Sequence, residues 1–214
     1  MRVIMVKGFS KTGKTTTVVQ IIKELRRRGY SVGTVKDIHY KRFAMDHPGT
    51  DTYKHAEAGA ERVTALGEKE TDLLLSRRMD INAVLKYYKE DFVILEGDSG
   101  ADCPAILTGA TEEDLEKRMT DNVIAISGII AEKLDQYGRI PAFNCLKEVE
   151  NMVDVIEKAT EAKKQEADVI LTIDGVEVPM VPFVKNTLRN VVIGAVKALD
   201  GYEEGKEILI RVKE

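Results

Sequence analysis

Residue types that mark several specialised classes of protein are scarce in this chain of 214 residues. It has no tryptophan and only two cysteines, Cys103 and Cys145. The cysteines form no CxxC pair and have no histidine cluster beside them, so neither a disulfide scaffold nor a cysteine zinc site is supported. We expect both thiols to be small buried apolar side chains.

Long apolar runs and an excess of positive charge are also missing. No apolar stretch approaches the roughly 18 residues of a membrane-spanning helix, and the apolar segment before Gly8 is too short for the core of a signal peptide. The net charge of −4 argues against a general nucleic-acid or membrane-surface binder, which would carry a dominant basic face. We therefore expect a cytoplasmic protein with neither nucleic acid nor membrane as a partner.

The chain does contain strand patterns that alternate with helix patterns, which is typical of an α/β fold with a mostly parallel sheet flanked by helices. The predicted strands cover 2–6, 31–36, 62–66, 72–75, 92–95, 103–107 and 122–126. The predicted helices cover 14–28, a short segment ending at Gly59, 80–88, 111–119 and 146–164. We interpret residues 1–165 as one nucleotide-binding domain of the P-loop NTPase class.

A change in composition follows the charged stretch at 161–166. Apolar residues then alternate up to Asp174-Gly175, a dipeptide that favours a two-residue hairpin turn. A helical pattern follows around Leu188–Leu199, and Ile208, Ile210 and Val212 suggest a last strand. We therefore predict a small ββαβ appendage at 166–214, a packing or dimer-contact module.

The segment Gly8–Thr15 matches the pattern G-x-x-x-x-G-K-[ST] at every fixed position, between a predicted strand and a predicted helix. In such a loop the backbone N–H groups and the helix N-terminus bind phosphate, a lysine reaches the β- and γ-oxygens, and a hydroxyl binds Mg²⁺. The predicted phosphate-binding residues are Gly8, Ser10, Lys11, Thr12, Gly13, Lys14, Thr15 and Thr16. Lys14 is also the predicted catalytic lysine, and Thr15 a metal ligand.

The second position of the loop separates this chain from one group of ATPases. ATPases of the partitioning and nitrogenase-iron-protein type carry a lysine directly after the first glycine. Here that position is Phe9, and the next lysine is Lys11. We do not expect this chain to use that dimer-bridging lysine.

A carboxylate at the end of a neighbouring strand is needed to hold the magnesium shell or to orient water. Glu96 is the best candidate for this catalytic and metal-side role, because it follows the apolar run 92–95 and precedes a glycine. Asp98 and Asp37 are second choices. The sequence marks no arginine as a charge-neutralising finger, the candidates being Arg42, Arg62, Arg77 and Arg78, so we expect slow hydrolysis.

The base of the nucleotide is not identified by the residues alone. The sequence has no Asn-Lys-x-Asp motif, which guanine-specific GTPases commonly carry. Guanine and adenine therefore both stay open at this point.

A polar loop follows the second predicted strand, at the edge where α/β sheets bind ligands. Lys36, His39, Lys41 and Arg42 could attract a phosphorylated second ligand. The alternative is an ordinary solvated loop, in which Asp51 caps a short helix.

These segments together resemble the MobB family of molybdopterin-guanine dinucleotide biosynthesis adapter proteins. The resemblance rests on the P-loop, on Lys36 with His39, on the stretch 46–52, on 58–60 (Ala-Gly-Ala) and on Glu96-Gly97, which lie in the family's order over roughly residues 1–130. The chain departs from the family pattern at Asp37 and Tyr40, where histidines are usual, and at Thr50, where lysine is usual.

The resemblance implies a homodimeric protein that binds GTP with Mg²⁺, hydrolyses it weakly and assists the guanylyltransferase that joins GMP to molybdopterin, with molybdopterin as a further possible ligand. It also implies that Lys36, His39, Asp46 and Asp51 contribute to the ligand site. Two alternatives are a P-loop kinase acting on a small molecule, which normally needs an arginine-rich lid, and a non-catalytic nucleotide-gated scaffold or chaperone.

Overall fold

The computed structural model describes residues 1–40, 43–161, 169–197, 199 and 208–210. Backbone contacts divide the chain into two compact units, Met1–Glu161 and Ala162–Glu214. The first unit contains a five-stranded sheet and the helices that cover it. In the second, the described elements are a short hairpin and one helix.

All neighbouring strands of the five-stranded sheet are parallel, as the alternating pattern predicts. The strands are β1 Arg2–Gly8, β2 Val32–Lys36, β5 Phe92–Glu96, β6 Ala105–Thr108 and β7 Val123–Ser127. Their order in the sheet is β2-β5-β1-β6-β7, with β1 in the centre. The carboxyl ends of β1, β2 and β5 therefore meet at one edge, where Gly8, Lys36 and Glu96 end their strands.

Apolar side chains cover both faces of this sheet, which explains the continuous apolar runs in its strands. On one face, Ile4 and Val6 of β1 pack with helix α1 (Lys14–Arg27) and helix α5 (Val149–Thr160). On the other, Met5 of β1 packs with Leu115 of helix α4 (Glu112–Arg118). The two predicted cysteines lie one in each layer, and both are buried free thiols.

Several predicted elements differ from the structure in their ends or in their partners. The strands β3 (Arg62–Leu66) and β4 (Thr71–Leu75) are present, but they pair with each other as a separate antiparallel hairpin. The helix predicted at 80–88 is only α3, Ile81–Leu85, with Asp80 as its N-cap. Helix α5 begins three residues later than predicted and ends at Thr160; residues 162–164 of that prediction lie outside the described residues.

Some elements are present without a sequence prediction. A 3₁₀ turn covers Ile129–Glu132, and a hairpin of two-residue strands joins β8 (Gln136–Tyr137) to β9 (Ile140–Pro141). Both are too short to carry a periodic pattern. The short predicted helix before Gly59 is α2, Asp51–Glu57.

The second unit contains the predicted hairpin, in which β10 (Thr172–Ile173) pairs with β11 (Val176–Glu177). Asp174 and Gly175 both have positive φ, 51° and 79°, as a two-residue hairpin turn requires. Helix α6 follows at Pro182–Val196. Of the predicted last strand, residues 208–210 are in no strand, and Val212 lies outside the described residues. In the described part of the chain no helix is long and apolar enough to span a membrane.

Candidate functional site

The loop between β1 and α1 is held in a ring-like turn by its own polar groups. Gly13 precedes the helix with φ 100°, a backbone conformation that L side chains rarely adopt. Thr12 is buried beneath the loop, where its hydroxyl hydrogen-bonds the Phe9 carbonyl oxygen at 2.9 Å and Thr108 Oγ1 at 2.8 Å. Lys14 Nζ donates to the same Phe9 carbonyl. The hydrogen bonds of Thr12 and Lys14 therefore stabilise the conformation of the loop.

The N-terminus of α1 is left open for an anion. Its N-cap residue Gly13 has no side chain to accept from the first amides, and the first turn carries no acidic residue. The first N–H groups and the positive end of the helix dipole therefore face the loop, and α1 itself supplies no carboxylate to neutralise them. A phosphate group is the natural complement of such an end.

Strand pairing brings Lys36 and Glu96 together at the edge of the sheet. They are register partners at the ends of β2 and β5, and Lys36 Nζ lies 2.6 Å from Glu96 Oε1. The same carboxylate oxygen accepts a hydrogen bond from Thr15 Oγ1 at 2.7 Å. Glu96 thus joins the end of the sheet to the first turn of α1.

The pKa values of Glu96 and Lys14 reflect this crowding of charge. Burial favours a higher pKa for Glu96, but the hydrogen bonds from Lys36 and Thr15 outweigh it and the pKa is lowered, so the carboxylate is charged at neutral pH. The pKa of Lys14 is lowered, chiefly by burial; Glu96 opposes this effect, whereas Lys36 and Arg118 add to it. Like charges therefore converge on Lys14, and an incoming polyanion would relieve their repulsion.

An open cavity of about 780 Å³ lies in front of the loop. Most of the sequence-predicted site residues line it: Gly8, Ser10, Lys11, Gly13, Lys14, Thr15, Thr16, Lys36, His39 and Glu96. The cavity is therefore the place where the phosphate loop, the metal-side carboxylate and part of the loop after β2 meet.

Three other predicted site residues do not line this cavity. Thr12 supports the loop from beneath, as described above. Asp46 Oδ1 accepts from Thr50 Oγ1 at 2.6 Å, so its carboxylate closes a turn before α2. Asp51 is 87% exposed and pairs with Lys54 at 2.9 Å. Their predicted contacts with a ligand stay predictions.

The cavity also contains residues that the sequence reasoning missed or ranked second. Arg118, the last residue of α4, lines it and stacks over the ring of Phe9, with the guanidinium carbon 4.7 Å from the ring centroid. Asp98, a second choice for the metal side, lies 3.6 Å from the Arg118 guanidinium. No local signal identifies Arg118, because only the packing of α4 brings it to the loop.

Asp37, the other second choice, also lines the cavity, beside Glu96. Its backbone N–H donates to the Glu96 carbonyl oxygen at 2.9 Å, and its side chain is only 7% exposed. Arg78 holds one carboxylate oxygen at 2.9 Å, and the His39 ring nitrogen Nε2 lies 3.5 Å from the other. Arg78, one of the arginines considered from sequence, is therefore committed to a carboxylate, and His39 remains at the mouth of the cavity.

Comparison with known proteins gives one consistent family. The model of the family described as molybdopterin guanine dinucleotide synthesis protein B, MobB, matches residues 3–129. The molybdopterin-guanine dinucleotide biosynthesis adapter protein of Escherichia coli is 28% identical over 165 residues, covering 70% of this chain and 87% of that protein. A Methanocaldococcus jannaschii relative named after the same adapter role is 27% identical and covers 99% of this chain and 97% of its own length, so the similarity extends into the second unit.

Solved structures agree with the sequence matches. The crystal structure of Bacillus subtilis MobB superimposes with a TM-score of 0.63 at 26% identity, covering 76% of this chain and all of that one. The parallel sheet with its flanking helices is thus a fold shared with MobB structures. Because the family model covers more than half of the sequence, including the phosphate loop and Glu96, this chain belongs to the MobB family.

Proposed function

We propose that this chain, as an adapter protein of molybdopterin guanine dinucleotide biosynthesis, acts by binding GTP with Mg²⁺ in the cavity in front of the phosphate loop. The observation that carries the proposal is the convergence of Lys14, Lys36, Thr15 and Glu96 at the open N-terminus of α1. Guanine as the base rests on the family's product, which contains a guanine nucleotide.

The chain's own residues divide the work of holding such a nucleotide. The loop amides and the α1 N-terminus would surround the β-phosphate, and Lys14 would leave the Phe9 carbonyl for the β- and γ-oxygens. Lys36 is paired with Glu96 in the structure. If Mg²⁺ binds to Glu96, the Lys36 ammonium group would be free to bind a phosphate oxygen. The loop amides and the helix N-terminus are fixed donors that need little rearrangement, and the two lysines exchange an existing partner for phosphate.

The residues present fit a magnesium ion. Thr15 Oγ1 and Glu96 Oε1 are hard oxygen donors 2.7 Å apart, the kind of ligand that Mg²⁺ prefers. Among the described residues no group of three or more His, Cys, Asp or Glu side chains could hold a metal alone. This suits Mg²⁺ in nucleotide sites, where phosphate oxygens and waters complete the shell. When bound, the ion would offset the charge of the phosphates.

Slow hydrolysis and a protein partner complete the proposal. The family resemblance implies weak hydrolysis, and Arg78, one of the arginines considered as a catalytic finger, is occupied by Asp37, so we propose that the site holds GTP and does not consume it rapidly. A long-lived GTP state suits an adapter that assists the guanylyltransferase joining GMP to molybdopterin. We further propose that the working form is a homodimer.

Calorimetric titration of the purified protein with Mg²⁺ and GTP, ATP, GDP or ADP tests the binding step. We expect GTP to bind more tightly than ATP; a preference for ATP would contradict the guanine assignment, and the absence of triphosphate binding would contradict the whole proposal. Capture experiments with a molybdopterin guanylyltransferase, with and without GTP, test the partnership. Transfer of labelled phosphate to a small-molecule acceptor would instead support a kinase.

A further inference from the structure

Arg118 is a cation at the phosphate cavity whose contacts leave it available. Among the described residues its guanidinium donates no hydrogen bond; it stacks on Phe9 and lies 3.6 Å from Asp98 Oδ2. The two side chains of that ion pair are 40% and 50% exposed, so the contact is solvated and contributes little. By contrast, Arg28 and Arg78 donate to carboxylates at 2.7–2.9 Å.

The position of Arg118 relative to Lys14 points to the distal phosphates. Phe9 holds Lys14 Nζ through its backbone carbonyl and Arg118 through its ring, so one residue places both cations at the same part of the loop. A P-loop lysine reaches the β- and γ-oxygens. Asp98, which lies beside Arg118, lines the cavity two residues beyond Glu96, the proposed metal-side carboxylate.

The loop itself explains why a cation from another element is useful. The residue after Gly8 is Phe9, whose side chain carries no charge but offers an aromatic face to a guanidinium. Arg118 thus brings a further positive charge from α4 to the loop. A guanidinium also presents paired donors that match phosphate oxygens.

We propose that Arg118 is a specificity-determining residue that reads the third phosphate of the bound nucleotide, moving from its resting place on the Phe9 ring to the γ-oxygens. The inference rests on the proposed nucleotide binding and adds to it a reason for preferring the triphosphate. In the absence of nucleotide the guanidinium rests on the Phe9 ring, and its weak contact with Asp98 is exchanged for phosphate when the nucleotide binds.

The test compares Arg118→Ala and Arg118→Lys with the wild-type chain by calorimetric titration of Mg²⁺-GTP and Mg²⁺-GDP, with ATP and ADP in parallel. We expect Arg118→Ala to weaken triphosphate binding roughly tenfold, the lower range for losing a hydrogen bond to a charged group, and to change diphosphate binding less than twofold. Arg118→Lys should fall between them, because it keeps the charge but loses the paired donors.

Arg2→Ala is the matched control. Arg2 also lies over aromatic rings, 4.3 Å from the Phe92 centroid and 4.8 Å from that of Tyr30, but at the opposite end of β1. Its removal should leave the ratio of triphosphate to diphosphate affinity unchanged. Melting temperatures of all variants show whether the fold is intact, and both arginines are partly exposed, so we expect small changes.

The outcomes separate the two proposals. If the wild-type chain binds triphosphate and Arg118→Ala lowers affinity for both nucleotides equally, or for neither, the role of Arg118 is overturned while nucleotide binding stands. If the wild-type chain binds no triphosphate, the proposed function fails and this inference fails with it.

Discussion

Helix α1 carries a group of charged side chains at each end, and the two groups differ in how their charges are paired. At the N-terminal end, an open cavity is lined by the cations Lys11, Lys14, Lys36 and Arg118 and by three carboxylates, Glu96, Asp98 and Asp37, the last of which is bound by Arg78. At the C-terminal end, Arg27 and Arg28 form ion pairs with Glu24 of the same helix. They also pair with three carboxylates of α5, those of Glu150, Asp154 and Glu157.

The C-terminal group is a closed ion-pair network. Glu24 is 4% exposed and accepts from Arg27 Nε at 2.6 Å and from Arg28 Nε at 2.7 Å. These hydrogen bonds, that from Arg27 first, lower the pKa of Glu24 to about 2. The Arg27 and Arg28 guanidinium groups are each bound by carboxylates, so they join α1 to α5. The neighbouring Arg26 donates instead to the Tyr30 carbonyl oxygen.

The two ends of α1 separate ligand binding from stability. Cations that outnumber the carboxylates beside a cavity favour an added anion, whereas cations paired with carboxylates of another helix hold the two helices together. Substitutions at the N-terminal end should therefore change ligand affinity, and substitutions in the ion-pair network should change the free energy of unfolding.

The largest effect is expected from Lys14→Ala. Loss of the ammonium group should weaken Mg²⁺-GTP binding at least about 100-fold, roughly 3 kcal/mol, because a charged hydrogen bond to phosphate is removed. The melting temperature should hardly change, since among the described residues the Lys14 ammonium group donates a hydrogen bond only to the Phe9 carbonyl oxygen. Calorimetry measures the affinity, with Lys23→Ala, an exposed lysine on the same helix, as the control.

If Lys14→Ala leaves the affinity for Mg²⁺-GTP unchanged, the nucleotide does not bind at this loop. A large fall in melting temperature would show that the N-terminal charges also stabilise the fold. Either outcome would remove the contrast between the two ends of α1.

Glu96→Gln should have the next largest effect on GTP affinity. Whether the affinity falls depends on the presence of Mg²⁺. With Mg²⁺ present we expect GTP affinity to fall roughly 10- to 30-fold, about 2 kcal/mol, because an amide oxygen is a poorer ligand for the ion than a carboxylate. Without Mg²⁺ the affinity should not fall, since a negative charge near the phosphates has been removed. Titrations with Mg²⁺ and with a chelator distinguish the two cases; an equal loss in both would argue against a metal-side role.

The contrast also shows how much could be read from sequence. Gly8–Thr15 was predictable because the whole chemistry lies in eight consecutive residues. Lys36 and Glu96 were each predicted, but their contact depends on the register of β2 against β5, which joins residues 60 positions apart. Arg118 carried no signal, because its position depends on how α4 packs across the sheet.

The ion-pair network at the C-terminal end of α1 could not be predicted from sequence either. The helical spacing of Glu24 and Arg28 suits an i,i+4 pair, but the pairing with α5 links residues more than 120 positions apart. The strands of the parallel sheet, the main helices and the phosphate loop were therefore predictable from sequence, whereas the interactions between distant elements described above needed the folded chain.

Glu24→Gln should lower stability without changing nucleotide binding. A carboxylate whose pKa falls from 4.5 to about 2 on folding contributes at most about 3 kcal/mol at pH 7, and screening of the half-exposed Arg27 reduces this to about 1.5. The sign follows from the lowered pKa: the contribution is complete above pH 4.5 and is lost as the pH falls towards 2. Urea unfolding at pH 7, 5 and 3 measures it.

The difference between wild type and Glu24→Gln should therefore narrow from pH 5 to pH 3. Glu113→Gln is the control, because Glu113 forms an i,i+4 pair with Lys117 but is 71% exposed. It should cost less than about 0.5 kcal/mol. A Glu24 effect as small as this control, or one that does not change with pH, would contradict the idea of a closed network.

The smallest effect is expected from Asp154→Asn, which tests how the network shares its load. Asp154 is 65% exposed and lies 2.7 Å from Arg28, so water already solvates much of its charge. Arg28 also keeps Glu24 and Glu157 as partners. We expect a loss of about 0.5 kcal/mol in urea unfolding, with GTP affinity unchanged. A loss as large as that of Glu24→Gln would mean that the contact between α1 and α5 depends on this exposed pair, and that burial of Glu24 is not what distinguishes the C-terminal end of the helix.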